Sequence, residues 1–363
     1  MARPSRRRFL TLATAAAAST VVRVDAAGSP AEATPDIRRL TSPGFLDLQV
    51  NGFAGVDFND PATTADDLHR ALAVLRTHGV TRLLPTLITS SAERFDQCAR
   101  LVLQAKADAV AGIHMEGPYI SPEDGPRGAH PREFTAPASI EDFKRRQDAA
   151  AGQIRLVTLA PEVPGSLPLV EYLRANGVRV AIGHTAAPAE VIRDAVKAGA
   201  TLSTHLGNGS AQMIPRHPNF IWEQLAADEL TASLIVDGHH LPPATVKTMI
   251  RAKGVRRTIL VTDAIAAAGQ PPGEYQLGNL KVRLDESGRV AAPGATNLAG
   301  SALALDRAVA NTVRFTGVSI EDALAMASTN PAAYLGLKPA GTLELEWDAE
   351  AFALRIIRID RLS

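Results

Sequence analysis

The chain has 363 residues, with 38 basic and 38 acidic side chains and therefore no formal net charge at pH 7. This balance argues against nucleic acid or an anionic membrane surface as a partner, because both require a basic excess. The length suits one large barrel domain or two smaller domains. The single cysteine, Cys98, excludes an intrachain disulfide and a cysteine metal cluster.

The first 26 residues have the charge and hydropathy order of an export signal. A basic start is followed by an alanine-rich apolar run over 10–22 and by a cleavage-site pattern at 24–26. Residues 5–10 resemble the twin-arginine motif, which predicts export of a folded protein to the periplasm or beyond. The apolar run is too short to span a membrane, so no stable membrane anchor is expected. Residues 27–42 are predicted to be a linker.

Short apolar runs then alternate with helical patterns from residue 43 to residue 335. The eight runs are 44–50, 81–87, 109–115, 154–159, 178–183, 200–204, 232–236 and 258–262. Apolar strands separated by helices favour a parallel sheet with right-handed crossovers. Eight such units over this length are typical of a (β/α)8 TIM-type barrel, so the sequence predicts an α/β fold with one barrel domain.

Two segments alternate polar and apolar residues with period two and do not fit the barrel pattern. Residues 273–292 predict a β-hairpin inserted into the barrel. The C-terminal segment 336–363 contains a second alternating stretch at 341–360. Together they predict a small β-subdomain beside the barrel.

Four polar residues, Glu116, His184, His205 and Asp263, end or closely follow four of the predicted strands. The carboxyl ends of all barrel strands meet on one face, so these side chains are expected to share a pocket. One carboxylate and two imidazoles form a ligand set for a catalytic divalent metal, with zinc preferred and iron, manganese or cobalt as alternatives. Asp263 would then act as the proton shuttle. A lone strand-end histidine is usually structural, but two histidines, a glutamate and an aspartate at four strand ends together indicate a metal-dependent hydrolase.

Further polar residues are predicted on the same face. His130 lies in a glycine-rich loop after the third strand, and Asn208 and Arg216 follow the sixth. His239 and His240 follow the seventh strand, where capping of a helix is an alternative role for one of them.

Motifs spread along the chain carry a family resemblance. In order they are Pro43-Gly-Phe-Leu-Asp-Leu-Gln-Val-Asn-Gly, His114-Met-Glu-Gly-Pro-Tyr, Gly183-His-Thr, Thr204-His-Leu, Asp237-Gly-His-His, Val261-Thr-Asp-Ala, Gly273-Glu-Tyr-Gln-Leu-Gly, Leu298-Ala-Gly-Ser and Asn330-Pro-Ala. With these motifs, over residues 43–345, the chain resembles N-acetylglucosamine-6-phosphate deacetylases of the amidohydrolase superfamily.

The resemblance implies removal of the acetyl group from a small N-acetylated amino sugar. It implies that Glu116, His184 and His205 hold the metal and that Asp263 is the catalytic acid and base. It also implies a set of substrate-binding residues, namely His130, Asn208, Gly209, Arg216, His240, Leu298, Ala299 and Gly300. Because this family is commonly dimeric, a homodimer is expected.

Three departures from the family pattern qualify these expectations. Gln49 and Asn51 stand where two-metal relatives carry a His-x-His pair, and neutral amides are poor ligands, so one metal ion is expected. Little chain precedes residue 43, so a truncated subdomain built from 273–292 and 341–360 alone is expected. Gly207 and Gly209 make the loop after the sixth strand more pliable. This loop helps to recognise the substrate, so the family's substrate is the property that carries over to this chain least well.

The predicted export also bears on the substrate, because sugar phosphates are cytoplasmic metabolites. An exported enzyme would meet unphosphorylated N-acetylated sugars, so a deacetylase for these is an alternative function. Other amidohydrolase reactions, such as opening of a cyclic amide or removal of a formyl group, are also open. A non-catalytic sugar-binding barrel is disfavoured, because all four strand-end positions keep their reactive side chains.

Overall fold

The structure is a computed structural model that describes residues 37–295 and 297–360. The predicted signal at 1–26 and most of the predicted linker lie outside these residues. Within the described ranges no helix is long and apolar enough to cross a membrane.

The described strands follow one another through short loops and helices. In chain order they are β1 (Ile37–Pro43), β2 (Phe45–Val50), β3 (Gly52–Phe53), β4 (Val56–Asp57), β5 (Val80–Ile88), β6 (Ile113–Glu116), β7 (Ile154–Leu159), β8 (Arg179–Ile182), β9 (Leu202–Ser203), β10 (Thr231–Leu234), β11 (Thr258–Leu260), β12 (Gly273–Leu277), β13 (Leu280–Leu284), β14 (Val290–Ala291), β15 (Thr342–Asp348) and β16 (Ala353–Ile359).

The helices cover the outside of the barrel. They are α1 (Ala65–Thr77), α2 (Ala92–Gln104), α3 (Ile140–Ala149), α4 (Ser166–Ala175), α5 (Ala189–Ala198), α6 (Phe220–Ala226), α7 (Pro243–Lys253), α8 (Leu305–Thr316), α9 (Ile320–Ala327) and α10 (Thr329–Leu335). Short 3-10 turns occupy Arg132–Phe134 and Val255–Arg257. Local signals explain several helix starts, as at α1, where Thr64 and Asp67 form a capping box.

Eight parallel strands form the predicted barrel, in the order β11-β10-β9-β8-β7-β6-β5-β2. The ring closes between its two end strands, where the Asp263 amide donates to the Gln49 carbonyl at 2.9 Å and the Asn51 amide donates to the Ala264 carbonyl at 2.7 Å. Every residue of β2 is buried, as expected for a parallel strand covered on both faces. The predicted (β/α)8 fold is confirmed.

The small sheets correct the predicted linker and subdomain. Ile37–Pro43 is a strand, β1, paired antiparallel with β15, so the assignment of a linker up to residue 42 is wrong for 37–42. The sheet β1-β15-β16 is separate from the sheet β12-β13-β14, so 273–292 and 341–360 do not form one sheet by themselves. Sequence patterning missed β1 because most of its side chains are exposed and Leu40 alone packs against the core.

Candidate active site

Three of the predicted strand-end residues meet within hydrogen-bonding distance. Glu116 ends β6, and its Oε1 lies 3.2 Å from Nε2 of His184 and 3.1 Å from Nε2 of His205. The two histidine Nε2 atoms lie 3.1 Å apart. All three side chains are buried. The strand ends therefore bring two imidazoles and a carboxylate to one point, as predicted.

The backbone at the strand ends is strained where it turns these side chains into the barrel mouth. His184, His205 and Asp263 have φ values of 51°, 30° and 50°, in the left-handed region that non-glycine residues rarely adopt. Such strain persists only where the surrounding structure imposes it, and it concentrates at functional sites. The strained residues here are those that carry the predicted chemistry.

The three donor atoms fit a divalent metal ion. Nδ1 of His184 lies 2.9 Å from the Pro126 carbonyl and must donate to it, which leaves a lone pair on Nε2 of the neutral ring. That lone pair faces the Glu116 carboxylate and the second imidazole, so a cation between them would satisfy all three. Donor separations of roughly 3.3 Å follow from tetrahedral bonds of about 2.0–2.1 Å to zinc, close to the separations observed.

His130 lies beside the same atoms. Glu116, His130 and His184 also each offer a ligand atom, and these atoms lie within 4.8 Å of one another. The closest approach of the His130 ring to the carboxylate is 3.9 Å, from Nε2 to Oε2 of Glu116. Glu116, His184 and His205 are therefore the tighter cluster, with His130 at its edge.

Gln49 and Asn51 donate hydrogen bonds to the acidic residues. Nε2 of Gln49 lies 2.8 Å from Oε1 of Glu116 and 3.2 Å from Oδ1 of Asp263. Nδ2 of Asn51 lies 2.7 Å from the same Asp263 oxygen. Amide N–H groups therefore point at both carboxylates, where a metal ligand would have to present a lone pair instead.

The environments of Glu116 and Asp263 shift the pKa values of the two carboxylates in opposite directions. Burial alone would raise the pKa of Glu116, but hydrogen bonds with His184 and His205 outweigh it and hold that pKa well below its usual range. Burial, and after it the negative charge of Glu116, raises the pKa of Asp263 to about 6. Asp263 can therefore gain and lose a proton near neutral pH, while Glu116 stays ionised.

His130 is held as a neutral ring. Its Nδ1 lies 2.8 Å from Oγ1 of Thr89, and its ring centroid lies 4.3 Å from that of His184. Burial, followed by the neighbouring His184, lowers the pKa of His130 to about 3. The ring therefore faces the site without a charge.

A polar layer under the site supports these side chains. His114 lies between Oγ1 of Thr86 at 3.2 Å and Oγ1 of Thr158 at 2.8 Å, and burial lowers its pKa to about 4. Asp47 accepts from Oγ1 of Thr262 at 2.6 Å, and burial raises its pKa to about 7. These buried groups have their hydrogen bonds satisfied, which keeps the floor of the site rigid.

Most of the predicted site residues line one cavity of about 220 Å³ at the mouth of the barrel. They are Glu116, His130, His184, His205, Asn208, Gly209, His240, Asp263, Leu298 and Gly300. The other two predicted site residues do not line this cavity. Arg216 is exposed, and neither it nor Ala299 is among the lining residues; Ala299 packs instead with the core around β12–β14.

The paired histidines of the seventh strand have different surroundings. Nδ1 of His240 lies 2.6 Å from Oδ2 of Asp237, which orients its ring in the cavity wall. Nε2 of His239 lies 3.0 Å from the Ser287 carbonyl, outside the cavity. Neither caps the following helix, because the N-cap of α7 is Pro242.

Sequence reasoning missed several residues of the cavity wall. Gln212 and Asn297 come from distant loops, and Nε2 of Gln212 donates to Oδ1 of Asn297 at 3.3 Å. Gly128, to which the motifs assign no role, also lines the cavity, and a Cβ there would lie 3.3 Å from Cε1 of His184. The glycine-rich composition of its loop was the available signal.

Comparisons with known proteins agree with this geometry. The model of the amidohydrolase family matches residues 40–357. An N-acetylglucosamine-6-phosphate deacetylase from Lysinibacillus sphaericus is 36% identical over 85% of this chain and 80% of its own length. An N-acetylgalactosamine-6-phosphate deacetylase from Escherichia coli O157:H7 is 34% identical, over 85% of this chain and 81% of that protein.

A solved structure shows the same arrangement of the chain. A variant of the N-acetyl-D-glucosamine-6-phosphate deacetylase from Mycobacterium smegmatis, in complex with N-acetyl-D-glucosamine-6-phosphate, superposes with a TM-score of 0.81 at 32% identity. The match covers 88% of this chain and 85% of that one. The chain therefore belongs to the amidohydrolase family and, within it, to the N-acetylglucosamine-6-phosphate deacetylases.

Proposed function

We propose that this protein hydrolyses the acetamide of an N-acetylated hexosamine and releases acetate and the free amine. The observation that carries this proposal is the meeting of Glu116, His184 and His205 within 3.2 Å of one another. Asp263, with its raised pKa, lies beside them through the shared contact with Gln49. Relatives that are 36% and 34% identical to this chain are named as deacetylases of phosphorylated N-acetylhexosamines.

We infer that Glu116, His184 and His205 hold one divalent metal ion, preferably zinc. Such an ion supplies an activated water and polarises the amide carbonyl. Buried Gln49 and Asn51 keep the adjacent carboxylates in place by hydrogen bonding.

Asp263 is assigned the proton transfers. As a carboxylate it takes a proton from the attacking water, and as an acid it gives that proton to the departing nitrogen when the C–N bond breaks. The Thr89 hydroxyl lies 2.8 Å from Nδ1 of His130 and 3.4 Å from the Glu116 carbonyl. We assign its hydrogen to the shorter contact, so Nε2 of the His130 ring carries the hydrogen and faces the cavity. That N–H would donate to the acetyl oxygen as negative charge develops there.

A specific observation favours an unphosphorylated sugar as a second candidate substrate. Among the described residues that line the cavity there is no lysine or arginine. Recognition of a phosphate dianion usually relies on such side chains, above all on arginine. Arg216, the residue expected to contact phosphate or sugar, is exposed outside the cavity.

We expect the purified, metal-loaded protein to cleave N-acetylglucosamine with a kcat/KM at least equal to that for its 6-phosphate. Release of acetate would be measured with both sugars and with the N-acetylgalactosamine pair. N-formylated and cyclic amides complete the screen, because the same site could hydrolyse them. A strong preference for the phosphorylated sugars would contradict the second candidate and leave the 6-phosphate deacetylase.

We propose that the chain is exported through its twin-arginine-like start. When Arg6 and Arg7 are replaced with lysine, the full-length protein should remain in the cytoplasm, because that export route recognises the arginine pair. Replacing Arg3, which lies outside the motif, should leave export unchanged. Cell fractionation followed by N-terminal sequencing would check this, and export of the double variant would refute the proposal.

We propose that the protein is a homodimer. Large apolar side chains are exposed close together in sequence, with Met213 at 91%, Ile214 at 39% and Trp222 at 49% exposure. Light scattering should give twice the chain mass, and Met213→Glu should shift it toward the monomer. Ile357→Glu, on the separate strand β16, is the matched control and should not. A monomeric wild-type protein would contradict this.

A further inference from the structure

A second cavity lies at the opposite end of the barrel from the candidate active site. Its volume is about 600 Å³. Arg155 and Arg179 reach it from the first residues of β7 and β8, and Arg174 and Lys197 from the last turns of α4 and α5. The amino ends of the strands surround it, whereas the metal-ligand cluster is at their carboxyl ends.

The lining of this cavity carries a local excess of positive charge on a chain that is neutral as a whole. Glu229 is the one acidic residue among the described residues that line it. Lys197 is paired with Asp194 at 3.2 Å. The side chains of Arg155, Arg174 and Arg179 make no hydrogen bond or ion pair with another described residue. Three arginines thus line the cavity without an ion pair of their own.

Arg155 and Arg174 are exposed and Arg179 is half-buried, so all three guanidinium groups are accessible to a ligand, while two of the stems pass close to glycines. A Cβ at Gly199 would lie 2.3 Å from Cδ of Arg174, and a Cβ at Gly112 would lie 2.7 Å from Cδ of Arg155. The absence of side chains at these two glycines is what lets the arginine stems lie where they do.

The third arginine is positioned by an aromatic ring. The Arg179 guanidinium lies 5.4 Å from the ring centroid of Tyr334, within the range of a cation–π interaction. The Tyr334 hydroxyl is fixed in turn by Oγ1 of Thr201 at 3.0 Å, and Thr201 also lines the cavity.

We propose that this cavity binds a small organic phosphate. Planar guanidinium groups match the oxygens of a phosphate through paired charge-assisted hydrogen bonds. The volume lies in the range of cavities that enclose a metabolite. Val178, Val196 and Leu335 supply apolar wall for the carbon part of such a molecule. The inference does not depend on the proposed deacetylase activity.

Calorimetric titration of the full metal-loaded protein with glucose 6-phosphate tests the proposal, with glucose as the ligand that lacks the phosphate. We expect saturable binding of glucose 6-phosphate and none of glucose. The double variant Arg174→Gln/Arg179→Gln should weaken binding by at least about tenfold, because two charge-assisted contacts are lost. Arg100→Gln, which removes an exposed arginine from α2, is the matched control and should bind as the wild type does.

The acetate-release assay shows whether the double variant is still folded and active, since both arginines lie far from the catalytic strand ends. Unchanged hydrolysis together with lost binding would support the second site. Two results would overturn the proposal: no binding of glucose 6-phosphate to the wild-type protein, or equal binding to the wild type and the double variant.

Discussion

Replacing Asp263 with asparagine is expected to lower kcat by about 10²–10⁴-fold, which is the usual contribution of a positioned acid–base group. Asparagine keeps the size of the side chain and an oxygen that can accept from Asn51 and Gln49. It cannot carry the proton between water and the leaving nitrogen. Burial and the neighbouring Glu116 keep the pKa of the native carboxyl near 6, where that transfer is efficient at neutral pH.

The variant should retain the metal, which separates loss of proton transfer from loss of the metal site. Metal content would be measured alongside steady-state kinetics of acetate release. Asp66→Asn, which changes an exposed carboxylate in the first turn of α1, is the control and should leave kcat unaffected. Turnover of Asp263→Asn at the wild-type rate would refute the role assigned to this residue.

Replacing Gly209 with alanine should reduce metal affinity and kcat/KM together by about 10- to 100-fold. Its Cβ would lie 2.8 Å from Nδ1 and 2.9 Å from Cε1 of His184. Real side chains do not approach so closely, so the imidazole or the loop must move. Moving the ring breaks the hydrogen bond from Nδ1 to the Pro126 carbonyl, which orients Nε2 toward Glu116. Loss of such a hydrogen bond typically lowers metal affinity or activity by about 10- to 100-fold.

Gly177→Ala separates this collision from backbone strain. Both glycines have positive φ, +55° for Gly209 and +75° for Gly177, so alanine at either position is strained by about 1–2 kcal/mol. A Cβ at Gly177 would meet nothing within 4 Å. The control should therefore lose some stability but keep its metal. Equal metal loss in both variants, measured by elemental analysis after dialysis, would show that strain alone explains the effect.

The barrel and its reactive strand ends were predictable because both are local properties of the sequence. Apolar runs separated by helical patterns indicate parallel strands wherever they occur. A polar residue directly after such a run must lie at the carboxyl end, where all the barrel strands meet. Glu116, His184, His205 and Asp263 could be placed on one face for this reason.

Elements without a periodic signal could not be placed in this way. Strand β1 pairs through its backbone with β15 while most of its side chains are exposed, so the segment has no alternating pattern and its sequence predicts a linker. Arg216 lies in a loop whose path depends on tertiary contacts, and it is exposed instead of lining the cavity.

The sequence by itself determined the fold class, the family and the four reactive side chains. Strand periodicity and the residue that follows a strand are both local features of the sequence. Only the tertiary structure decided how the loops meet over them. It paired Gln212 with Asn297 across the cavity, packed Gly209 against His184, and gathered three arginines at the far end of the barrel. These arrangements depend on contacts between residues distant in sequence, which no local pattern encodes.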